Sequence, residues 1–334
     1  MLYPTAFHTQ DLSQYSFLVT GGAGFIGSNL VDYLLHHHAK RVVVLDNLAN
    51  GFYQNIREYE QFDNFRFIEG DIRNLYTCQQ ACKGIDYVLH QAALGSVPRS
   101  IANPADTNAV NVGGFINVML ACRDNGVKRL VYASSSNVYG DSKNLPKVEH
   151  IIGNPLSPYG VSKLAKEMYA QVFAQTYGME IIGLRYFNVF GYRQNPKAQY
   201  AAVIPLFMEA VLTNTPPTIF GTGEQTRDFT FIENVVQANI KCLFATHPEA
   251  VNQVYNVAVG ESTSVNQLFA IIQQKAGTHL TPVYKDKRQG DIQDSLADIS
   301  KIKQLVGYQP TVRIEQGLER TLEWYKTHFL PQLL

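Results

Sequence analysis

The sequence predicts an α/β protein built on a doubly wound parallel sheet, with a smaller lobe formed mainly by the C-terminal part. Three observations support this prediction. Short apolar strands and amphipathic helices alternate between residues 17 and 185, and a glycine-rich turn follows the first strand. The chain also has 334 residues, of which 46% are hydrophobic, enough for a sizeable core. We expect residues 1–188 to form the first domain and residues 189–334 the lobe, with some lobe segments returning to the first domain.

The first element is an apolar run at residues 17–19, typical of a buried strand, and glycines follow it directly. Strand, glycine turn and helix together indicate a dinucleotide-binding site. Gly21 permits the tight turn, Gly24 lets the backbone approach the phosphates, and Gly27 lets the helix pack on the strand. The start of the helix offers free N–H groups and a positive dipole end to the pyrophosphate. The expected fold is therefore of the Rossmann type.

The second strand, at residues 41–45, ends at Asp46. An acid about 20 residues beyond the glycines is where the hydroxyls of the adenosine ribose bind. A carboxylate at this position repels a 2′-phosphate. The sequence therefore favours NAD over NADP as the cofactor.

Two further patterns indicate redox chemistry. Tyr159 and Lys163 are four residues apart, so on a helix their side chains share one face. A phenol has a pKa near 10, and we expect a neighbouring ammonium and an oxidised nicotinamide to lower it. Tyr159 is thus a candidate general base. Ser135 and Ser136 end a strand at the edge of a parallel sheet where ligands bind.

The glycine spacing resembles that of the extended short-chain dehydrogenase/reductase superfamily, and so do residues 67–73, 88–93 and 111–114. The family's catalytic serine lies four residues before the tyrosine that corresponds to Tyr139, which gives Ser135, with Ser136 as the next candidate. In this family Lys163 also holds the nicotinamide ribose. The cofactor contacts that the resemblance implies are Gly21, Gly24, Phe25, Ile26, Gly27, Asp46, Asn47, Asp71, Ile72, Gln91, Ala92, Ala93, Asn111, Tyr159, Lys163 and Tyr186.

Three later segments, at residues 184–191, 221–229 and 288–291, resemble nucleotide-sugar epimerases and dehydratases. By this resemblance Asn188 contacts the sugar diphosphate, Arg227 and Arg288 grip the pyrophosphate, and Asp291 binds the nucleoside ribose. Two arginines on one diphosphate are chemically sensible, because guanidinium binds phosphate oxygens in a bidentate manner.

Residues 90–100, 156–159 and 200–205 resemble bacterial UDP-N-acetylglucosamine 4-epimerases of the surface-polysaccharide type, within the UDP-hexose 4-epimerase family. Ser295 stands where glucose-type members carry a bulky tyrosine beside the sugar, so an acetamido group has room. The substrate contacts that the resemblance implies are Gly95, Ser96, Ser135, Ser136, Asn188, Ala202, Val203, Arg227, Arg288, Asp291 and Ser295.

The resemblance implies a mechanism. Tyr159, with Ser135, takes the proton of the sugar 4-hydroxyl while hydride moves to NAD. The 4-keto sugar then rotates about its diphosphate and is reduced on its other face. NAD is regenerated in each turnover, so tight retention is expected. The helices at residues 105–125 and 159–177 are expected to pair with their copies in a homodimer.

Several alternatives remain open. Epimerisation of UDP-N-acetylglucosaminuronate or of UDP-glucose and UDP-galactose fits most of the same pattern, and a decarboxylase or dehydratase shares the fold. Dehydratases carry an acid pair where this chain has Ser136-Asn137, which argues against dehydration. A non-enzymatic NAD sensor predicts loss of Tyr159, Lys163 or Ser135, and all three are present.

The composition of the chain bears on its binding partners and on its location in the cell. The 28 basic and 28 acidic residues give zero net charge, and no basic stripe indicates nucleic acid binding. No apolar run approaches the length of a membrane span, and the first residues do not resemble a signal peptide, so we expect a cytoplasmic protein. The cysteine and histidine spacings do not indicate a metal site.

Overall fold

The computed structural model describes residues 2–197, 201–287 and 293–330. Its centre is a seven-stranded sheet in the order β11-β6-β5-β4-β1-β2-β3, in which all neighbouring strands are parallel. The strands are β1 Ser16–Thr20, β2 Arg41–Asp46, β3 Phe65–Glu69, β4 Tyr87–His90, β5 Arg129–Ser135, β6 Ile181–Tyr186, β7 Val189–Phe190, β8 Thr218–Phe220, β9 Thr226–Arg227, β10 Thr230–Phe231, β11 Val254–Val257, β12 Thr263–Ser264 and β13 Val283–Lys285.

Helices connect these strands and cover both faces of the sheet. The helices are α1 Phe25–His36, α2 Leu75–Cys82, α3 Val97–Ala102, α4 Pro104–Asn108, α5 Phe115–Asp124, α6 Pro158–Tyr177, α7 Val203–Leu212, α8 Ile232–Leu243, α9 Val265–Ala276, α10 Ser300–Val306 and α11 Ile314–His328. Two hydrophobic clusters result, because the parallel strands are apolar on both sides. The predicted doubly wound α/β architecture is confirmed.

The order of the strands reverses between β1 and β4. The chain runs from β1 through β2 to β3 on one side and then returns to place β4 on the other side of β1. In such sheets the crevice beyond the carboxyl ends of the strands at this point is where ligands bind. Thr20 ends β1 and pairs in register with His90 at the end of β4, so the loops that follow these two residues face each other across the crevice.

The single long helix expected at residues 105–125 is interrupted. Residues Ala109–Gly114 form a π-helical stretch between α4 and α5. A Cβ on Gly114 would lie 2.5 Å from the Cδ1 atom of Ile72, so the glycine lets the helix pack closely on the segment after β3. The helix expected at residues 159–177 agrees closely with α6.

The C-terminal part of the chain contributes a strand to the central sheet and also forms short strand pairs outside it. Strand β11 joins the central sheet beside β6, while β8 and β13, β9 and β12, and β7 and β10 form short two-stranded pairs. Within the described ranges, none of the helices combines the length and the apolarity needed to cross a bilayer.

Candidate active site

The turn after β1 forms one wall of a cavity of about 650 Å³. Gly21 has a φ of +69°, and a Cβ there would lie 2.6 Å from the backbone nitrogen of Ala92. A Cβ on Gly27 would lie 2.1 Å from the carbonyl oxygen of Gly21, so only glycine lets α1 begin so near the turn. Gly24, Phe25 and Ile26 line the same cavity at the start of α1.

The first turn of α1 suits an anion. Among the residues that the structure describes, no side chain caps the helix at Gly24. The free N–H groups and the helix dipole of such a terminus attract phosphate. These features fit the pyrophosphate of a dinucleotide.

A second cavity, of about 130 Å³, continues from the glycine turn, and Asp46, Asn47, Asp71 and Ile72 line it. One carboxylate oxygen of Asp46 accepts the N–H of Ala23 at 2.9 Å, and the other accepts the N–H of Leu48 at 2.8 Å. Burial raises the pKa of Asp46.

The carboxylate of Asp71 accepts a hydrogen bond from Asn47 at 2.9 Å and pairs with Arg73 at 2.7 Å. Hydrogen bonding to Arg73 lowers the pKa of Asp71, although burial opposes this effect. The carboxylates of Asp46 and Asp71 would oppose a 2′-phosphate, which fits NAD.

The end of β4 forms the opposite wall. Gln91 and Ala93 line both cavities, and Ala92 lines the smaller one. The hydroxyl of Tyr186 donates to the side-chain oxygen of Gln91 at 3.2 Å and accepts from the side-chain N–H of Asn239 at 2.9 Å. Tyr186 is thereby fixed at the end of β6, on the larger cavity.

The catalytic candidates meet on the same cavity. Ser135 ends β5, and Tyr159 and Lys163 lie on the first turns of α6. The N-terminus of α6 is capped by Ser157, whose hydroxyl oxygen accepts from the N–H of Gly160. The backbone and side-chain N–H groups of Asn137 donate to the Ser135 oxygen at 3.2 and 3.1 Å.

Ser135 lies beside Tyr159 and acts to lower the pKa of its phenol. Because the Ser135 oxygen accepts from Asn137, its own O–H is available to donate to the phenol oxygen. The sequence predicts a lowered pKa for Tyr159, whereas the structure shows the opposite direction. Burial raises the pKa of Tyr159, although Ser135 opposes this increase.

The amine of Lys163 donates to the carbonyl of Ala133 at 3.0 Å and lies 5.5 Å from the ring centre of Tyr159. Burial lowers the pKa of Lys163 to about 8, against the charge of Glu167, which raises it. Lowering the pKa of Tyr159 therefore requires further positive charge beside the phenol.

The substrate candidates divide between two cavities that share Asn188, Val189 and Gln194. Gly95 and Ser96 line the larger cavity. Ala202, Val203 and Arg227 line a cavity of about 220 Å³ in the C-terminal lobe, together with Asn188 and several phenylalanines.

Some predicted site residues lie elsewhere. Ser136 begins the turn after β5, and the cavity walls described here reach Ser135 but not Ser136. Asn111 is fully buried in the π-helical stretch, where it bonds the backbone of Leu94 and the hydroxyl of Ser162. Direct contact of Asn111 with a cofactor remains a prediction.

Ser295 is buried, and its N–H donates to the carbonyl of Thr226, next to Arg227. Arg288 and Asp291 lie outside the described residues.

The structure also adds residues that the sequence patterns did not single out. Asn50, in the segment after β2, and Arg99, on α3, line the larger cavity, and the Arg99 guanidinium donates a hydrogen bond of 2.6 Å to the Asn50 side chain. Lys197 lines the same cavity. Asn50 and Arg99 are 49 residues apart in the chain, so no local sequence pattern indicates that they meet.

Comparisons with known proteins agree with this geometry. Residues 17–258 match the model of the NAD dependent epimerase/dehydratase family. A putative UDP-glucose 4-epimerase of Methanocaldococcus jannaschii is 38% identical over 93% of this chain and 98% of its own. The UDP-N-acetylglucosamine 4-epimerase of Methanobrevibacter ruminantium M1, solved with UDP-N-acetylmuramic acid, is 38% identical with a TM-score of 0.89, over 94% of this chain and 99% of its own.

A Bacillus cereus UDP-glucuronic acid 4-epimerase variant, solved with NAD and a fluorinated UDP-glucuronic acid, is 30% identical. Its TM-score is 0.86, over 96% of this chain and 100% of its own.

Fold and site therefore define a dinucleotide-dependent enzyme in which a serine, a tyrosine and a lysine converge on the cofactor cavity. The chain belongs to the NAD-dependent epimerase/dehydratase family. The predictions of NAD as cofactor and of UDP-sugar 4-epimerase chemistry are confirmed at this level. When bound, NAD supplies the acceptor and donor of the hydride at C4 of the sugar.

We predict that Gly27→Ala weakens NAD retention at least about tenfold, because the new methyl group would displace α1 from the turn that receives the pyrophosphate. The measurement is the NAD content of purified protein after gel filtration. Gly113→Ala is the control, since a Cβ there would meet open space. Normal NAD content in the Gly27 variant would contradict the prediction.

The pH dependence of kcat is expected to show an alkaline limb near the pKa of Lys163, about 8. Above this pH the amine loses its proton and no longer stabilises the phenolate of Tyr159. The check is the turnover of the NAD-loaded protein between about pH 6 and pH 10. A flat profile through this range would show that Lys163 does not act through its charge.

Proposed function

We propose that the enzyme interconverts UDP-N-acetylglucosamine and UDP-N-acetylgalactosamine by inversion at C4. The observation that carries this proposal is the open space beside Gly95 on the larger cavity. Gly95 lines that cavity, and a Cβ at this position would meet open space. Ser295 supplies another small side chain, buried beside the strand that carries Arg227. An acetamido group needs this room.

The role of each residue follows from the contacts. The Ser135 oxygen accepts from Asn137, so its own O–H can donate to Tyr159, the group that accepts the proton of the sugar 4-hydroxyl and later returns it. Lys163 keeps positive charge beside the phenolate. Asn188 and Arg227 lie on the lobe cavity and hold the nucleotide, so the hexose itself is free to turn over between the two transfers.

One observation favours a second candidate, the uronic-acid form of the same sugar. Lys197 lines the larger cavity together with Tyr186 and Asn188. An ammonium there would attract a carboxylate at C6. The substrate assay therefore includes this form.

The test is incubation of the purified protein, without added NAD, with UDP-glucose, UDP-N-acetylglucosamine and UDP-N-acetylglucosaminuronate, following C4 inversion by NMR. The acetylated neutral sugar is expected to give the highest kcat/KM. Preference for UDP-glucose would contradict the proposal, and preference for the uronate would move it to the second candidate.

A substitution tests the room for the acetamido group. Ser295→Tyr is expected to reduce kcat/KM for the acetylated sugar at least about tenfold while leaving UDP-glucose turnover nearly unchanged, because the ring fills the space of the acetamido group. Ser300→Tyr, at an exposed position on α10, is the control. Equal loss with both sugars would contradict a role of Ser295 in selection.

We also propose a homodimer formed through α6. Val161, Met168 and Val172 lie seven and four residues apart, so they share one face of the helix, and they are 54%, 62% and 54% exposed. A two-fold axis would place this stripe against its own copy, because a two-fold interface pairs identical patches.

Met168→Glu would place two charges at the centre of the proposed contact. Sedimentation velocity is expected to show monomers for this variant and dimers for the wild type and for Thr327→Glu on α11. A wild-type monomer at assay concentration would overturn this part of the proposal.

A further inference from the structure

A buried ion pair lies one helical turn beyond the catalytic lysine. The carboxylate of Glu167 on α6 accepts two hydrogen bonds from the guanidinium of Arg185 on β6, at 2.7 and 3.0 Å. The two side chains are only 7% and 5% exposed. Removing two charges from water is costly, so apolar side chains would fill this space at lower cost. Stability alone therefore gives a weak explanation of the pair.

A third element joins the pair. The hydroxyl of Ser134 on β5 donates to the Glu167 carboxylate at 2.5 Å. Glu167 therefore connects α6, β5 and β6 through one carboxylate. Each element carries a site residue close by: Lys163 one turn earlier on α6, Ser135 next to Ser134, and Tyr186 next to Arg185.

We propose that Glu167 is a positioning residue of the active site, which fixes Ser135 and Tyr186 relative to the catalytic helix and preserves the ammonium of Lys163. The expected changes in kcat and KM rest on the proposed function, because they are measured with a UDP-sugar. The positioning follows from the three hydrogen-bonded elements, and the charge effect follows from the place of Glu167 on the same helical face as Tyr159 and Lys163.

The charge effect depends on all groups around Lys163. On its own helix these are Tyr159, Lys166 and Glu167. Lys166 is fully buried and shares the Ala133 carbonyl with Lys163, at 3.3 and 3.0 Å. From β4, buried His90 faces both lysines, and burial lowers its pKa well below the usual value. Arg185 approaches from β6 through its bond to Glu167.

Only Glu167 among these neighbours favours the charged form of Lys163. As long as Arg185 is paired with Glu167, the two charges partly cancel. Removing one member of the pair leaves the charge of the other uncompensated. The two possible removals should therefore act on Lys163 in opposite directions.

The experiment compares Glu167→Gln with Arg185→Gln in the NAD-loaded enzyme. Both break the same pair, and both are expected to reduce kcat at least about tenfold while KM for the UDP-sugar stays within about threefold, because Ser135 and Tyr159 lose their mutual alignment. The alkaline limb of kcat should move to lower pH in Glu167→Gln, which leaves a guanidinium, and to higher pH in Arg185→Gln, which leaves a carboxylate.

A purely structural role predicts a different result. It would lower the stability of both Glu167→Gln and Arg185→Gln but would not shift the alkaline limbs of their kcat profiles in opposite directions. Alkaline limbs at the same pH in the two variants would therefore overturn the proposal. The matched control is Glu180→Gln, which breaks the pair of Glu180 with Arg129 at the amino ends of β5 and β6. This control should leave kcat and its pH profile unchanged.

A spectroscopic readout separates this inference from the proposed function. The tyrosinate absorbance of each protein minus that of its Tyr159→Phe derivative follows the ionisation of Tyr159 without any substrate. This signal should appear at lower pH in Glu167→Gln than in the wild type, because the lost carboxylate no longer opposes ionisation of the phenol and the guanidinium of Arg185 is left uncompensated. An unshifted signal would refute the charge effect, whereas failure of the wild type to invert any UDP-sugar would refute only the proposed function.

Should Glu167→Gln not fold, Ser134→Ala keeps the ion pair and removes only the bond to β5. A loss of kcat at unchanged KM supports the positioning. An unchanged kcat in this variant contradicts it.

Discussion

The close approach of the turn after β1 to the end of β4 is the constraint on which the rest of the site depends. The backbone of Gly21 lies so near Ala92 that a Cβ would come within 2.6 Å of its nitrogen. Gly27 allows α1 to start directly behind that turn. The first turn of α1 therefore faces the crevice where the strand order reverses, and the cofactor cavity, the serine of β5 and the tyrosine of α6 are arranged around this point.

Burial controls the chemistry of the site as strongly as geometry does. It raises the pKa of Tyr159 and lowers that of Lys163, so both groups are pushed toward their neutral forms. A phenolate beside an ammonium therefore exists only where other groups compensate. Ser135 acts to lower the pKa of the phenol, and Glu167 contributes negative charge behind the lysine. The positive charge of an oxidised nicotinamide would act in the same sense as Lys163.

Local patterns predicted the parts of the site that depend on local spacing. The glycines and Asp46 follow from their positions at the ends of single strands. Tyr159 and Lys163 follow from the spacing of one helix. Contacts between distant segments carry no such pattern. Arg185 appeared only as part of a motif, and its pairing with Glu167 emerges once β6 packs beside α6. Asn137, which the sequence left without a role, proves to hold the oxygen of Ser135.

The π-helical stretch around Asn111 likewise has no signal in the helical periodicity of the sequence, and within it Gly114 packs closely against Ile72.

The central claim is that a hydride leaves C4 of the sugar and returns to the same carbon without exchanging with solvent. The most direct test uses UDP-N-acetylglucosamine carrying deuterium at C4, incubated with the purified protein in ordinary water. The account predicts that the epimerised product retains the deuterium at C4, because hydride returns from the bound cofactor and the proton moves only through Ser135 and Tyr159. Replacement of the deuterium by solvent hydrogen would contradict it.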